Sequence, residues 1–176
     1  MKYFLIGYMG SGKTTVGKEL AGMLNLPFFD TDEIIERLHN MSISDIFVSL
    51  GEKTFREIEQ RTLEKIVQNY PDGVFSTGGG MPCYGQNMKL MNKYGTSIFI
   101  NCGVKLLTER LSKSRDRPLL EGKSEKELQD FIKGHLALRK PFYNQANMKV
   151  MGYHSSDKIA RRILKRSGNL TSFSQK

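Results

Sequence analysis

Gly7-Tyr8-Met9-Gly10-Ser11-Gly12-Lys13-Thr14 follows the apolar run Tyr3-Phe4-Leu5-Ile6 and leads straight into a helical pattern. Strand, glycine-rich turn and helix with the spacing G-x-x-x-x-G-K-[ST] make a P-loop. Its glycines let successive backbone N–H groups turn inward around a phosphate. The N-terminus of the following helix adds partial positive charge. Gly10, Ser11, Gly12, Lys13, Thr14 and Thr15 are therefore the expected nucleotide-binding residues. Lys13 can reach the β- and γ-phosphates, and the Thr14 hydroxyl can ligate Mg²⁺. A dinucleotide fingerprint is excluded, because Thr15 stands where its third glycine would be.

Around this loop, 176 residues with 39% apolar and 26% charged content describe one globular domain with a sizeable core. No apolar run approaches the roughly 18 residues of a membrane span. The chain opens on strand residues rather than on the basic and apolar regions of a signal peptide. Cys83 and Cys102 show no CxxC or metal spacing, which points to a reducing, cytoplasmic setting. His39, His135 and His154 are scattered and do not form a metal-ligand pattern. The net charge of +9 is spread along the chain, apart from Arg161-Arg162 and Lys165-Arg166. No aromatic-interleaved basic patch accompanies it, so most of the charge reads as solvated faces rather than a nucleic-acid surface.

In chain order, residues 2–6 form a buried parallel-type strand. A helix follows with Val16, Leu20, Met23 and Leu24 on one face, closed by Pro27. Phe28-Phe29 is a second strand ending on Asp30-Thr31-Asp32. Strand carboxyl ends face the ligand crevice in open α/β sheets, so both carboxylates should lie near the P-loop, pointing the same way by period-2 alternation. Thr31 or Asp32 caps a helix over 33–39 with Ile34, Ile35 and Leu38 inward. Ser42 caps a short helix ending near Gly51, and a longer helix covers 52–69. On that helix Arg56 and Glu59 are one turn apart; by itself this is an exposed i,i+3 pair worth a few tenths of a kcal/mol. Val74–Thr77 is a third strand running into Gly78-Gly79-Gly80, a floor that lets a ligand approach the backbone. A helix over 86–93, a strand over 96–101 and a helix over 103–113 follow. Ser112–Gly122 is basic and glycine/proline-punctuated, the composition of a mobile lid. Ser124 and Glu127 open the next helix as a capping box, and it ends near Arg139-Lys140-Pro141. A weaker fifth strand over 147–153, a basic helix over 157–166 capped by Ser156, and a disordered polar tail over 167–176 complete the chain. Alternating β and α segments give a three-layer α/β/α sandwich on a five-stranded parallel sheet.

A P-loop names no reaction. The D-x-x-G and N-K-x-D motifs of GTPases are missing, since Asn92-Lys93-Tyr94-Gly95 lacks the final acid. From about residue 3 to residue 165 the chain resembles the shikimate kinases, of the nucleoside-monophosphate-kinase-like group. The resemblance rests on Gly7–Thr15, Asp30-Thr31-Asp32, Ser42-Ile43 with Ile46-Phe47, Gly51-Glu52 with Phe55-Arg56 and Glu59, Thr77–Gly80, Arg117-Pro118-Leu119-Leu120, and Arg139 with Pro141, Tyr143 and Ala146.

That resemblance implies ATP-dependent phosphorylation of shikimate at its 3-hydroxyl, with Mg²⁺, by a cytoplasmic monomer in aromatic amino-acid biosynthesis. It implies a single kinase domain over 1–166, with substrate-binding helices over about 32–62 and a lid over about 112–124. Lys13, Asp32 and Arg117 become the catalytic set. Thr14 and Asp30 hold the metal, and Arg117 also closes over the ATP phosphates. Arg56, Glu59, Arg139, Gly78, Gly79 and Gly80 join Asp32 around the acceptor. The chain departs from the family in lacking an acid in Asn147-Met148-Lys149-Val150, and Tyr153-His154-Ser155-Ser156 offers no match for an adenine contact. Other readings are a gluconate-type small-metabolite kinase and, more remotely, a nucleotide-dependent nucleic-acid-binding protein.

Overall fold

A computed structural model describes residues 1–113 and 124–168. Its single sheet is parallel and has five strands, β1 Lys2–Ile6, β2 Phe28–Asp30, β3 Gly73–Ser76, β4 Thr96–Asn101 and β5 Met148–Met151. Their order is β2-β3-β1-β4-β5. The helices among the described residues are α1 Lys13–Leu24, α2 Thr31–His39, α3 Ile43–Asn69, α4 Asn87–Tyr94, α5 Val104–Ser112, α6 Glu125–Tyr143 and α7 Ser156–Arg166. A 3₁₀ turn spans Met81–Cys83. The expected α/β sandwich is therefore present. β1 pairs with β3 on one side and β4 on the other, with Leu5 opposite Ser76 and Ile6 opposite Phe99. The strand order reverses at this central strand, and that is where a parallel sheet opens its crevice.

β1 shows why the strand reads as apolar throughout. Tyr3 and Leu5 point into a core shared with Val16 and Leu20 of α1, Leu107 of α5 and Ile159 and Ile163 of α7. Phe4 and Ile6 point the other way, into a core with Leu63, Ile66 and Val67 of α3 and Met88 and Met91 of α4. Both faces are covered, so period-2 alternation carries no polar positions here. Each such fully buried side chain contributes about 1.5–3 kcal/mol. Phe75 of β3 stacks on Phe4 at 5.4 Å and on Phe29 of β2 at 5.1 Å, tying three strands together on that face. A third, smaller core of Ile35, Ile46 and Phe55 seats α2 against the first half of α3.

Local chemistry sets the helix ends, with four departures from the sequence expectations. α1 ends at Asn25, which adopts a left-handed conformation (φ 53°), before Pro27 is reached. α2 is capped by Asp30, whose side chain accepts from the Asp32 N–H at 3.1 Å; Thr31 and Asp32 are already helical. Asp32 is thus aimed by a helix rather than by strand alternation, and Leu38 on the same helix is exposed. α6 runs through Pro141 to Tyr143. Proline removes only one N–H, and Asn144 N–H still reaches Lys140 O at 2.9 Å to close the last turn. α7 is capped at Ser155, one residue earlier than expected. The expected caps at Ser42 and Ser124 are in place, the latter as a full capping box with Glu127. The expected break at Gly51 appears as a kink in α3, with φ 75° and ψ 166°. The expected lid segment lies almost wholly outside the described residues.

Candidate active site

The P-loop stands between β1 and α1. Gly12, at φ 92°, is the N-cap of α1 and offers no side-chain cap. The first N–H groups of that helix are therefore left for an anion. Gly7, at φ 146°, lies so close to β4 that a Cβ there would stand 2.8 Å from Ile100 O. Lys13 is buried and donates to Gly7 O and Tyr8 O, each at 3.0 Å. Arg110 of α5 braces the outside of the loop, donating to Gly10 O at 3.2 Å and to Gly152 O at 3.0 Å.

A cavity of about 550 Å³ opens over the loop, lined by Met9 to Val16. At one end it meets Asp30, Asp32, Ser76, Thr77 and Gly79. At the other it meets Arg110, Gly152, His154, Ser155, Ser156 and Ile159. The Thr14 hydroxyl donates to Asp30 Oδ2 at 3.0 Å and stands 3.4 Å from Ser76 Oγ. Three hard oxygens converge there, which is the donor chemistry that suits Mg²⁺. Among the described residues no set of three His, Cys, Asp or Glu is grouped to hold a metal, but Mg²⁺ bound beside phosphates needs only one or two carboxylates. Ser11 Oγ is buried without a hydrogen-bond partner among the described residues. A phosphate oxygen would satisfy it. The residues present thus fit both a nucleotide and its Mg²⁺.

Behind Asp32 the three glycines after β3 meet charged side chains one by one. A Cβ on Gly78 would stand 2.7 Å from Glu59 Oε1 and 2.8 Å from Asp32 Oδ1. One on Gly79 would stand 3.5 Å from Arg139 Nη1 and 3.4 Å from Gly7 O. One on Gly80 would stand 2.5 Å from Arg56 Cζ and 2.7 Å from its Nη2. The floor is held in place by Gly78 N–H donating to Thr31 Oγ1 at 3.0 Å and by Tyr143 O–H donating to Gly79 O at 2.6 Å.

Arg56 and Glu59 are not the solvated pair that spacing alone suggested. Glu59 is 1% exposed, and Arg56 Nη1 donates to its Oε2 at 2.6 Å. Arg56 also reaches the exposed Glu52 at 3.2 Å. Burial raises the Glu59 carboxyl and Asp32 adds to the rise; Arg56 opposes it, and the net result is a carboxyl raised to about 7. Burial alone would lower Arg56, but Glu59 and Glu52 outweigh it and leave the guanidinium raised. Arg56 therefore stays charged, and Glu59 is the member of the pair that can take up a proton. Cys83 beside them is pushed up to about 11 by burial, against Arg139 and Arg56, and remains a thiol.

Of the residues expected from the sequence, Gly10 to Thr15, Asp30, Asp32 and Gly79 line the cavity. Gly78, Gly80, Arg56, Glu59 and Arg139 do not line it, but they adjoin it through the glycine floor. Arg117 lies outside the described residues. Sequence reasoning missed Ser76, although a polar residue at the carboxyl end of a central strand was a usable signal. The bracing role of Arg110 depends on a fold contact with the loop. The far end of the cavity, around His154 to Ser156, had no sequence signal.

The family model for shikimate kinase matches residues 9–167. A shikimate kinase of Azobacteroides pseudotrichonymphae is 49% identical over 148 residues, covering 84% of this chain and 87% of the relative. A crystal structure of shikimate kinase from Bacteroides thetaiotaomicron superposes with a TM-score of 0.90 at 37% identity, covering 96% of this chain and 98% of that one. Shikimate kinase from Acinetobacter baumannii, solved in complex with shikimate, gives a TM-score of 0.84 at 30% identity, covering 96% and 94%. With a whole-domain match, a full-length structural likeness and a cavity built for a nucleotide, the chain belongs to the shikimate kinase family.

Proposed function

We propose that this chain transfers the γ-phosphoryl group of ATP to the 3-hydroxyl of shikimate, giving shikimate 3-phosphate and ADP in aromatic amino-acid biosynthesis. The observation that carries the reading is one continuous arrangement. A phosphate cradle and Asp32 share a cavity, and two guanidinium groups, Arg56 and Arg139, stand directly behind its glycine floor. Such a site suits an acceptor that bears both a hydroxyl and a carboxylate. Guanidinium forks match carboxylates in geometry and charge.

In this reading Lys13 turns from its carbonyl partners to the transferring phosphoryl group and stabilises charge there. Thr14 and Asp30, the latter through water, would hold Mg²⁺, which when bound neutralises charge on the phosphates. Asp32 orients the attacking hydroxyl and accepts its proton. In a loose transition state orientation matters more than early deprotonation. Arg56 and Arg139 hold the acceptor carboxylate, Glu59 fixes Arg56, and Gly78 to Gly80 let the substrate lie on the backbone. Arg117, outside the described residues, would close over the ATP phosphates. The end of the cavity at Arg110 and His154 to Ser156 takes the nucleoside. Residues 1–166 act as one kinase unit, cytoplasmic and monomeric. No helix among the described residues is long and apolar enough to cross a membrane.

An ADP-release assay with Mg²⁺ and shikimate, run beside gluconate and a no-acceptor control, tests the reading. Shikimate-dependent turnover is expected. Folded protein that turns over only gluconate, or neither acceptor, would overturn it.

A further inference from the structure

The second residue of the P-loop does not line the cavity. Tyr8 is 1% exposed, and its ring lies against the Arg139 guanidinium, with Cζ 5.5 Å from the ring centroid. Its hydroxyl is 3.4 Å from His135 Nδ1, and the two rings meet edge-on at 6.4 Å. His135 in turn packs on Phe131 at 4.1 Å. Phe131, His135, Arg139 and Tyr143 recur every four residues along α6 and so share one face. The middle of that face meets the P-loop through Tyr8, and its end meets the glycine floor through the Tyr143–Gly79 hydrogen bond. Arg139 stands between these two anchor points. An arginine side chain is long and loses rotamer freedom when a ligand orders it; a ring face beneath the guanidinium orders it beforehand. The backbone of Tyr8 is itself fixed, because its carbonyl accepts from Lys13 Nζ and from the Ser11 N–H at 3.1 Å.

We propose that Tyr8 is a positioning residue for the acceptor. Its ring face holds the Arg139 guanidinium ready for the substrate carboxylate, so a residue of the nucleotide loop also sets the affinity for the acceptor. The inference rests on the reading of Arg139 as a carboxylate clamp.

Calorimetric titration of shikimate into the full-length protein, without nucleotide, tests it. Tyr8→Leu removes the ring and is expected to weaken shikimate binding about tenfold, the order expected for a lost cation–π contact in a desolvated site. ADP affinity in the presence of Mg²⁺ should stay within about twofold, because the ring does not face the nucleotide cavity. In steady-state assays KM for shikimate should rise while kcat changes far less. Tyr8→Phe keeps the ring face, loses only the hydroxyl near His135, and should bind shikimate as the wild type does. Tyr8→Met places a longer, adaptable side chain there without an aromatic face; it should repeat the loss and serves if Tyr8→Leu folds poorly. Wild-type shikimate affinity in the Leu or Met variant overturns the proposal, as does failure of Tyr8→Phe to restore it. Parallel loss of shikimate and ADP binding also overturns it, since Tyr8 would then only shape the loop. Arg139→Ala is measured alongside. If it binds shikimate normally, the clamp reading falls and this proposal with it. If it loses binding while Tyr8→Leu and Tyr8→Met do not, only the role of Tyr8 falls.

Discussion

Gly80→Ala adds one methyl group at a position where the backbone itself welcomes it. Gly80 has φ −91° and ψ −23°, a right-handed conformation open to any L-residue. Taken on backbone terms alone, the substitution should stabilise the protein by about 0.4–1 kcal/mol through a less flexible unfolded chain. The tertiary surroundings reverse that sign. The new Cβ would stand 2.5 Å from Arg56 Cζ and 2.7 Å from Nη2, where ordinary contact begins at 3.4 Å. The guanidinium must retreat by about 1 Å, and on its other side it holds the 2.6 Å bond to buried Glu59. A charge-assisted bond of this kind is worth about 1.5–3 kcal/mol, and its loss leaves a buried carboxyl without its cation. We expect Gly80→Ala to be about 2 kcal/mol less stable, with Tm lower by roughly 4–8 °C for a chain of this size. Displacement of Arg56 should also raise KM for shikimate about 30-fold, while the KM for ATP changes little. Differential scanning calorimetry and steady-state kinetics read both effects. A variant that is more stable than wild type, with an unchanged KM for shikimate, would refute the argument that Arg56 requires glycine at this position.

Asp32→Asn should lower kcat by about 10²–10⁴-fold with folding intact, the usual range for removal of a general base, as read by ADP release; near-native kcat/KM would remove Asp32 from the catalytic set. Glu59 links stability to pH. Burial raises its carboxyl from 4.5 to about 7, so its favourable contribution is complete below about pH 4.5 and is lost as pH rises to about 7. The loss is on the order of 3 kcal/mol. Urea midpoints should therefore fall further between about pH 5 and pH 8 in the wild type than in Glu59→Gln, and parallel falls would contradict the assignment. Gly134 lies inside α6, and no described atom beyond its chain neighbours and its own helix backbone comes within 4 Å of the place a Cβ would take. Gly134→Ala should therefore stabilise the protein by about 0.5–1 kcal/mol in urea denaturation. A destabilised Gly134→Ala would mean that α6 packs differently there.

The site divides according to how far apart its partners lie in the chain. The P-loop was legible because its strand, turn and helix are contiguous, and each glycine and polar side chain acts on neighbours a few residues away. Asp30 and Asp32 were legible as a pair near the crevice for the same reason. How Asp32 is aimed was misread, since the capping bond that makes Asp30 the N-cap depends on the backbone turning into a helix two residues sooner than expected. The end of α6 was misread because a proline in a last turn removes a single donor, and Tyr143 beyond it is anchored by Gly79, a residue distant in sequence.

Sequence alone determined the layered α/β architecture and the phosphate-binding loop. Strand periodicity, helix caps and the G-x-x-x-x-G-K-[ST] spacing are local properties, and local chemistry is sufficient to form them. Tertiary structure alone decided what the three glycines after β3 do. Read along the chain, they are a floor exposing backbone donors. In the fold, the missing side chains of Gly78 and Gly80 are also what allow Asp32, Glu59 and Arg56 to come together from α2 and α3. It likewise decided that Glu59 is buried and proton-labile rather than solvated, and that Tyr8 of the nucleotide loop touches Arg139. Burial and close approach depend on which distant segments the folded sheet places side by side. No spacing within one segment encodes that placement.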